Sequence, residues 1–241
     1  MLTRQKIESI YTDRYAGIYD ALYLEPWLNK HRWNIRKISE IISQYPEQGI
    51  LWLDACCGQA WHFSQFPNRI SKIGVDISLP QLRLAKKKNP DAFFLQSDIL
   101  KVPFKSNVFY LVTCFWGAYC YLDSIKNIGA FLDNAVSWTK ENGTLYMEVL
   151  LPTMLESFND SSFAHTTNFR VVPESDNYHT WSYTDCGGKH IMTSPPLEFF
   201  TSRLQPFFSI VNAEYDNGFM IHLIASNKRG LGSVRQRKGR Q

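Results

Sequence analysis

The sequence contains no uninterrupted apolar run of the roughly 18 residues that a membrane-spanning helix needs. Its opening, Met-Leu-Thr-Arg-Gln-Lys-Ile-Glu, has no apolar h-region, so a secreted protein is not expected and the expected compartment is the cytoplasm. Cysteine is sparse and odd in number: Cys56, Cys57, Cys114, Cys120 and Cys186 form no C-x-x-C pair and no zinc-type spacing with histidine. Reduced thiols and no metal site follow as expectations. The formal charge of +4 comes from one end, because Lys228 to Gln241 hold six basic and no acidic residues. Without them 20 basic residues face 22 acidic ones, so the body is near −2 and nucleic acid is not an expected partner. The basic stretch 229–241 reads as a solvated, disordered tail. A dinucleotide G-x-G-x-x-G is also missing, with Gly58 alone in the candidate loop, which argues against a nicotinamide dehydrogenase.

What is present is an α/β pattern. The 241 residues, 44% apolar and 15% aromatic, suit one domain with a modest insertion. Residues 4–23 and 26–44 read as helices, the second with a stripe of Leu28, Trp33, Ile35, Ile38, Ile41 and Ile42. Ile50–Leu53 is an apolar run ending in Asp54, as expected of a buried parallel strand, and residues 59–66 can start a helix. The alternation continues with strands at 72–76, 92–96, 108–115 and 144–150 and helices at 79–88 and 124–139. After 150 it breaks. Residues 166–193 show short alternating runs around the Asp185-Cys-Gly-Gly-Lys turn, an expected antiparallel insertion. Pro195-Pro196 opens a helix, and 208–215 and 219–226 flank the hairpin signal Asp216-Asn-Gly. The expected fold is a Rossmann-like, seven-stranded, mostly parallel sheet with a C-terminal antiparallel hairpin and an antiparallel β insertion after the fifth strand. One domain spans 1–228, with a helical cap at 1–47 and the insertion at 155–195.

Three acids end successive strands: Asp54 in Leu53-Asp-Ala-Cys-Cys-Gly-Gln-Ala60, Asp76 in Ile73-Gly-Val-Asp-Ile-Ser78, and Asp98 in Gln96-Ser-Asp-Ile-Leu100. In an open parallel sheet the carboxyl ends of the strands border the ligand crevice, so the three carboxylates should share it. A nucleoside accounts for them: a carboxylate after the second strand can accept from ribose hydroxyls, and one after the third from an adenine amino group. Each acid also fits an ordinary helix N-cap.

These segments resemble the motifs of class I S-adenosylmethionine (SAM)-dependent methyltransferases. Residues 53–60 resemble L-D-x-G-C-G-T-G, with Cys56 and Ala60 in place of its first and third glycines. Val75-Asp-Ile-Ser-Leu-Pro-Gln-Leu resembles the second motif. Asp98-Ile-Leu-Lys-Val-Pro-Phe and Val108-Phe-Tyr-Leu-Val resemble D-x-x-x-L-P-F…F-D-x-V, with Tyr110 at the usual acid, and Asn142-Gly-Thr-Leu resembles G-G-x-L. The resemblance implies SAM as cofactor and S-adenosylhomocysteine (SAH) as product. It implies Asp76 and Ile77 at the ribose and Asp98 with Ile99 at the adenine. Asp54, Ala55 and Gly58 would flank the methionine part, and Phe115 and Trp116 would close over it.

Tyr15-Ala-Gly-Ile-Tyr-Asp-Ala-Leu-Tyr23 and Gly117-Ala-Tyr-Cys-Tyr-Leu122 are similar to segments of sugar N-methyltransferases and related small-molecule enzymes. That branch implies Tyr19 against the cofactor and methylation of a nitrogen or oxygen on a small molecule. Tyr119, Glu148 and His179 are the candidates for handling the acceptor's proton. Other readings are an RNA methyltransferase anchored by the basic tail and a non-catalytic SAM-fold binding protein. The sequence does not choose an oligomeric state.

Overall fold

The computed structural model of the chain describes residues 7–45, 49–167, 169–175, 179–215 and 218–230. The tail beyond 230, residues 4–6, the Asn168 and Tyr178 ends of the insertion runs and the Asp216-Asn turn lie outside the described residues.

The parallel core is β1 (Leu51–Ala55), β2 (Ser71–Asp76), β3 (Phe93–Gln96), β4 (Phe109–Cys114) and β5 (Thr139–Val149). Two C-terminal strands, β9 (Phe208–Tyr215) and β10 (Ile221–Lys228), complete a seven-stranded sheet in the order β3-β2-β1-β4-β5-β10-β9. β10 runs antiparallel to both β5 and β9, as expected of a closing hairpin. The chain moves outward in one direction from β1 to β3 and in the other from β4, so the crevice lies where β1 and β4 diverge.

Local chemistry sets the flanking helices. Helix α4 (Ile125–Trp138) buries Ile128, Phe131, Leu132, Ala135 and Val136, a three- and four-residue spacing that keeps one face on the sheet. Ser124 caps it by accepting from the Asn127 N–H at 3.1 Å. Ser78 caps α3 (Leu79–Lys88) in the same way, with Pro80 in its first turn. Glycine at 74 has a packing reason: a Cβ there would lie 2.7 Å from Cys57 Sγ and from the Phe94 ring.

Four expectations are corrected. Residues 59–66 make only a 3-10 turn, Trp61–Gln65, because Ala60 is left-handed (φ +50°) and interrupts any α-helical start. The first long helix is broken: α1 (Asp13–Tyr19) starts at the Thr12 cap and passes through a π turn, Asp20–Leu24, and a 3-10 turn, Glu25–Trp27, into α2 (Leu28–Ile42). Pro26 sits in that 3-10 turn, where its missing N–H is tolerated. β5 begins at Thr139, five residues before its expected start. The Glu141-Asn-Gly segment is absorbed as an irregularity in its pairing with β4, Asn142 being left-handed (φ +62°). The insertion opens with two short helices, α5 (Pro152–Phe158) and α6 (Ser162–Thr167). A three-stranded antiparallel sheet then follows: β6 (Val172–Pro173), β7 (Thr180–Asp185) and β8 (Gly188–Thr193). Helix α7 (Leu197–Leu204) returns the chain to β9.

No described helix is long and apolar enough to cross a membrane, and no metal-holding cluster occurs among the described residues.

Candidate active site

A cavity of about 770 Å³ opens at the carboxyl ends of β1, β2 and β4. That volume falls in the ~300–1,000 Å³ range of small-molecule sites. Asp54, Gly58, Asp76, Ile77, Asp98, Ile99, Phe115, Trp116 and Tyr19 all line it. Ala55, fully buried, lies behind the lining. Five carboxylates face the cavity (Glu8, Asp20, Asp54, Asp76 and Asp98) against one lysine, Lys101.

Asp54, one residue before the end of β1, is 3% exposed and accepts a hydrogen bond from Thr113 Oγ1 at 2.7 Å. No cation among the described residues pairs with it. Burial raises its pKa to about 7, against the lowering effect of the Thr113 hydrogen bond; Asp76 and Glu148 add to the rise. Such a carboxylate is poised for a positively charged partner. Asp76 ends β2 and accepts from the Gly58 N–H at 2.8 Å and the Ser78 N–H at 2.8 Å, one on each oxygen. Burial raises its pKa, and the backbone hydrogen bonds oppose the rise. A carboxylate offers about four acceptor positions, so Asp76 retains capacity for a ligand. Asp98 caps the 3-10 turn Ile99–Lys101 through the Leu100 N–H at 3.0 Å and lies 3.4 Å from Lys101 Nζ. It is both an N-cap and a cavity residue.

The loop between β1 and β2 holds three left-handed residues, Cys56 (φ +58°), Gly58 (φ +52°) and Ala60 (φ +50°). Cys56 and Ala60 therefore adopt what the glycines of the related motif adopt freely, at roughly 1–2 kcal/mol each. A Cβ on Gly58 would meet nothing within 4 Å, so the glycine borders open space in the cavity.

Gln81 lines the cavity 1% exposed, and neither its amide nitrogen nor its amide oxygen has a hydrogen-bond partner among the described residues. A buried amide is normally satisfied, so this one lacks partners that a ligand can supply. Motif reading passed over Gln81 as a helix residue, and only its burial reveals it.

The far wall is aromatic and imidazole-rich: Tyr11, Tyr23, His31, Trp61, His62 and Tyr121 join Tyr19, Phe115 and Trp116. His31 and His62 approach at 3.4 Å, Nδ1 to Nε2. Burial, with Lys30 close by, lowers the pKa of His31 to about 4, and burial next to His31 lowers that of His62. Both rings are neutral near pH 7. Trp116 is left-handed (φ +58°), a strained state for a bulky residue, and is held from several sides. Its N–H donates to Glu148 Oε2 at 2.7 Å, its indole N–H donates to His31 Nε2 at 3.3 Å, and Lys30 Nζ lies 4.3 Å from its ring.

None of the three proton-handling candidates from the sequence lines this cavity. Tyr119 is fully buried, and its hydroxyl clamps the Leu150 backbone, accepting from N–H at 3.0 Å and meeting the carbonyl at 3.3 Å. Glu148 is fully buried behind Trp116, ion-paired with Lys30 and accepting from Asn34 Nδ2 at 2.9 Å. Burial pushes its pKa up, but Lys30, His222 and the donors from Lys30 and Trp116 outweigh burial and hold it at about 2. It is a fixed anion that seats Trp116. His179 lies at the insertion, with Nδ1 3.2 Å from the Ser194 carbonyl. Its position near the end of β5 says nothing of the helix, α2, whose Lys30 and Asn34 cover Glu148.

Comparison with known proteins follows the same core. Residues 53–143 match the family model of a methyltransferase domain. A dTDP-3-amino-3,6-dideoxy-α-D-glucopyranose N,N-dimethyltransferase of Streptomyces fradiae is 21% identical over 139 residues, covering 57% of this chain and 54% of its own length. A 2-phytyl-1,4-naphthoquinone methyltransferase of Nostoc sp. is 30% identical over 122 residues, covering 46% of this chain and 52% of its own. The chain thus spans about half the length of the curated relatives it matches. The solved structure of SAM-bound CalS10, an amino pentose methyltransferase from Micromonospora echinaspora, superposes with a TM-score of 0.61 at 16% identity, covering 88% of this chain and 97% of CalS10. Residues 53–143, where the acid-tipped strands and the left-handed loop lie, thus match a methyltransferase-domain model, and the chain shares its Rossmann-like fold with CalS10.

Proposed function

We propose that the chain transfers a methyl group from SAM to a nitrogen or oxygen of a small-molecule acceptor. The observation that carries this is Asp54: a buried carboxylate with no counter-cation among the described residues, in one cavity with Asp76, Asp98 and Gly58. The residues fit the cofactor on this structure's own evidence, since the cavity has an unpaired acid, an unsatisfied Gln81 amide and open space at Gly58. When bound, the cofactor supplies a methyl group on a positively charged sulfur, already activated for in-line displacement.

In this reading Asp76 and Ile77 hold the ribose, Asp98 and Ile99 the adenine, and Asp54 the methionine ammonium. Gly58, with Ala55 behind it, leaves room for the methionine chain, and Gln81 offers its amide. Tyr19, Phe115 and Trp116 exclude water and keep the reacting atoms aligned, which supplies much of the rate in such a transfer. Residues 1–228 act as one catalytic unit, in which the described residues of the cap 1–47 form the acceptor wall and those of the insertion 155–195 back it.

The test pairs calorimetric binding of SAH with transfer of labelled methyl from SAM. One arm offers dTDP-3-amino-3,6-dideoxyglucose and the other an RNA pool. Micromolar SAH binding with label in the amino sugar is the expected result. Label found in RNA alone, or no SAH binding, overturns the reading.

A further inference from the structure

One cluster of titratable side chains lies where the cap, the segment after β4 and the insertion sheet meet, and neither the cofactor cradle nor Glu148 uses it. Tyr11 and Tyr121 face the cavity. The Tyr11 hydroxyl donates to Tyr121 Oη at 3.2 Å, and Tyr121 Oη lies 2.5 Å from His190 Nδ1. His190 Nε2 lies 2.9 Å from Asp185 Oδ1. The ring of His190 is fully buried and stacked on Tyr183, with centroids 4.2 Å apart and planes 9° from parallel.

The protons in this chain are dictated by its far end. Asp185 also accepts from Tyr15 at 2.6 Å and Tyr23 at 2.5 Å on Oδ2, and from the Gly187 N–H at 2.8 Å on Oδ1. Burial alone would push its pKa up, but His190 and the two tyrosine hydroxyls outweigh burial and keep it well below the ordinary carboxylate value. An ionised carboxylate only accepts, so His190 Nε2 must carry a hydrogen. In the neutral ring Nδ1 is then bare, and Tyr121 donates to it. The three hydrogen bonds of this line therefore point the same way: Tyr11 to Tyr121, Tyr121 to His190, His190 to Asp185; Tyr183 Oη, 3.1 Å from Tyr121 Oη, donates to it, because the Tyr121 hydrogen is already given to His190. The groups facing His190 are the tyrosines 11, 15, 121 and 183 and Asp185, and Asp185 is the one anion among them.

We propose that Tyr11, Tyr121, His190 and Asp185 form a proton wire that takes up the proton released by the acceptor at the cavity wall. The acceptor's N–H or O–H proton passes to Tyr11 Oη, the Tyr11 proton to Tyr121 Oη, and the Tyr121 proton to His190 Nδ1. His190 becomes an imidazolium beside the Asp185 carboxylate, and both phenols end neutral. The acceptor keeps the electron pair that forms its new bond to the methyl carbon. A tyrosine thus stands where a nucleophilic hydroxyl stands in a hydroxyl–histidine–carboxylate triad, and it relays a proton instead of attacking. The inference rests on the methyltransferase reading above for its reaction, but its hydrogen-bond direction does not.

The test has two independent readouts on the full chain. Nitrogen-15 NMR of labelled imidazole reads the tautomer of His190: Nε2–H with bare Nδ1 is expected. In Tyr121→Phe the Nδ1 signal should move downfield by the loss of its donor. Kinetics with dTDP-3-amino-3,6-dideoxyglucose as the probe read the consequence. Tyr121→Phe and His190→Gln should lower kcat about 10²-fold, the scale of general-base loss. They should also remove the acid limb of the kcat–pH profile and leave the Kd of SAH within about twofold. Tyr121→Phe keeps the ring packing, so it guards against a folding defect that His190→Gln could bring. An Nδ1–H tautomer, or wild-type kcat and pH profile in Tyr121→Phe, overturns the wire. Failure of the wild-type chain to bind SAH overturns the methyltransferase reading instead, and with it the wire's role in transfer, whatever the tautomer.

Discussion

Replacing Asp54 with asparagine should make the protein more stable and a worse binder. The folded chain holds this carboxyl at about pKa 7 against an ordinary 3.8, with burial as the main cause. At 1.36 kcal/mol per pH unit, keeping it ionised without a cationic partner costs on the order of 4 kcal/mol above pH 7. The sign follows from linkage. The folded state retains a proton that the unfolded state has released, so the stability Asp54 contributes is full below about pH 4 and is lost as pH rises to about 7. Asp54→Asn has no such loss. Urea denaturation should show the variant more stable than wild type at pH 8 by up to ~4 kcal/mol, with the gap closing by pH 4. Binding moves the other way. If Asp54 pairs with the methionine ammonium, removing its charge costs ~2–5 kcal/mol, a loss of about 30-fold to several-thousand-fold in SAH affinity. Wild-type affinity should also weaken about tenfold per pH unit below 7, as the carboxylate takes up a proton, and the variant should lack that slope. Calorimetry from pH 5.5 to 8.5 measures both. Equal SAH affinity in the two proteins across that range would refute the assignment, whatever the stability data show.

Three further substitutions separate structural from functional residues. Glu148→Gln removes the buried anion that pairs with Lys30 and should destabilise the fold by ~3–5 kcal/mol in urea melts at pH 7. Because the pKa of Glu148 is held near 2, its contribution is present above about pH 4.5 and is lost as pH falls toward 2, so the variant's acid limb should be flatter in that window. Tyr119→Phe should lose ~1–2 kcal/mol of stability from the two Leu150 hydrogen bonds, with kcat within about twofold of wild type. Cys56→Gly relieves a left-handed non-glycine residue and should raise Tm by a few degrees with SAH affinity unchanged. A fall in Tm there would show that the thiol's packing outweighs the backbone strain.

Much of the core was legible because it depends on local pattern. Apolar runs of strand length, each with an acid at or near its end, define β1 to β3 and the crevice beside them. The Ser78 and Ser124 caps fall where their serines announce them, and α3 keeps its expected limits because Ser78 and Pro80 define its start. Where a second element decides the conformation, local reading fails. Residues 59–66 look helical, yet the β1–β2 connection forces Ala60 left-handed and leaves one 3-10 turn. The Glu141-Asn-Gly segment looks like a helix stop, yet β4 pairs with Thr139 and draws the segment into β5.

The sequence by itself determined the alternating strands and helices, the strand-end acids and the glycine among them, because periodicity and turn chemistry act over a few neighbouring residues. Only the tertiary structure decided which polar groups line the cavity and which are sealed away from it. Glu148 and Tyr119 are prominent in the chain but are sealed behind Trp116 and Leu150. Gln81, His31, Tyr11 and His190 carry no motif signal, and the fold puts Gln81 and His31 in the cavity lining and joins Tyr11, Tyr121, His190 and Asp185 by hydrogen bonds. Burial, counter-charge and hydrogen-bond direction are set by residues brought together from far apart in the chain, so no short stretch of sequence carries them.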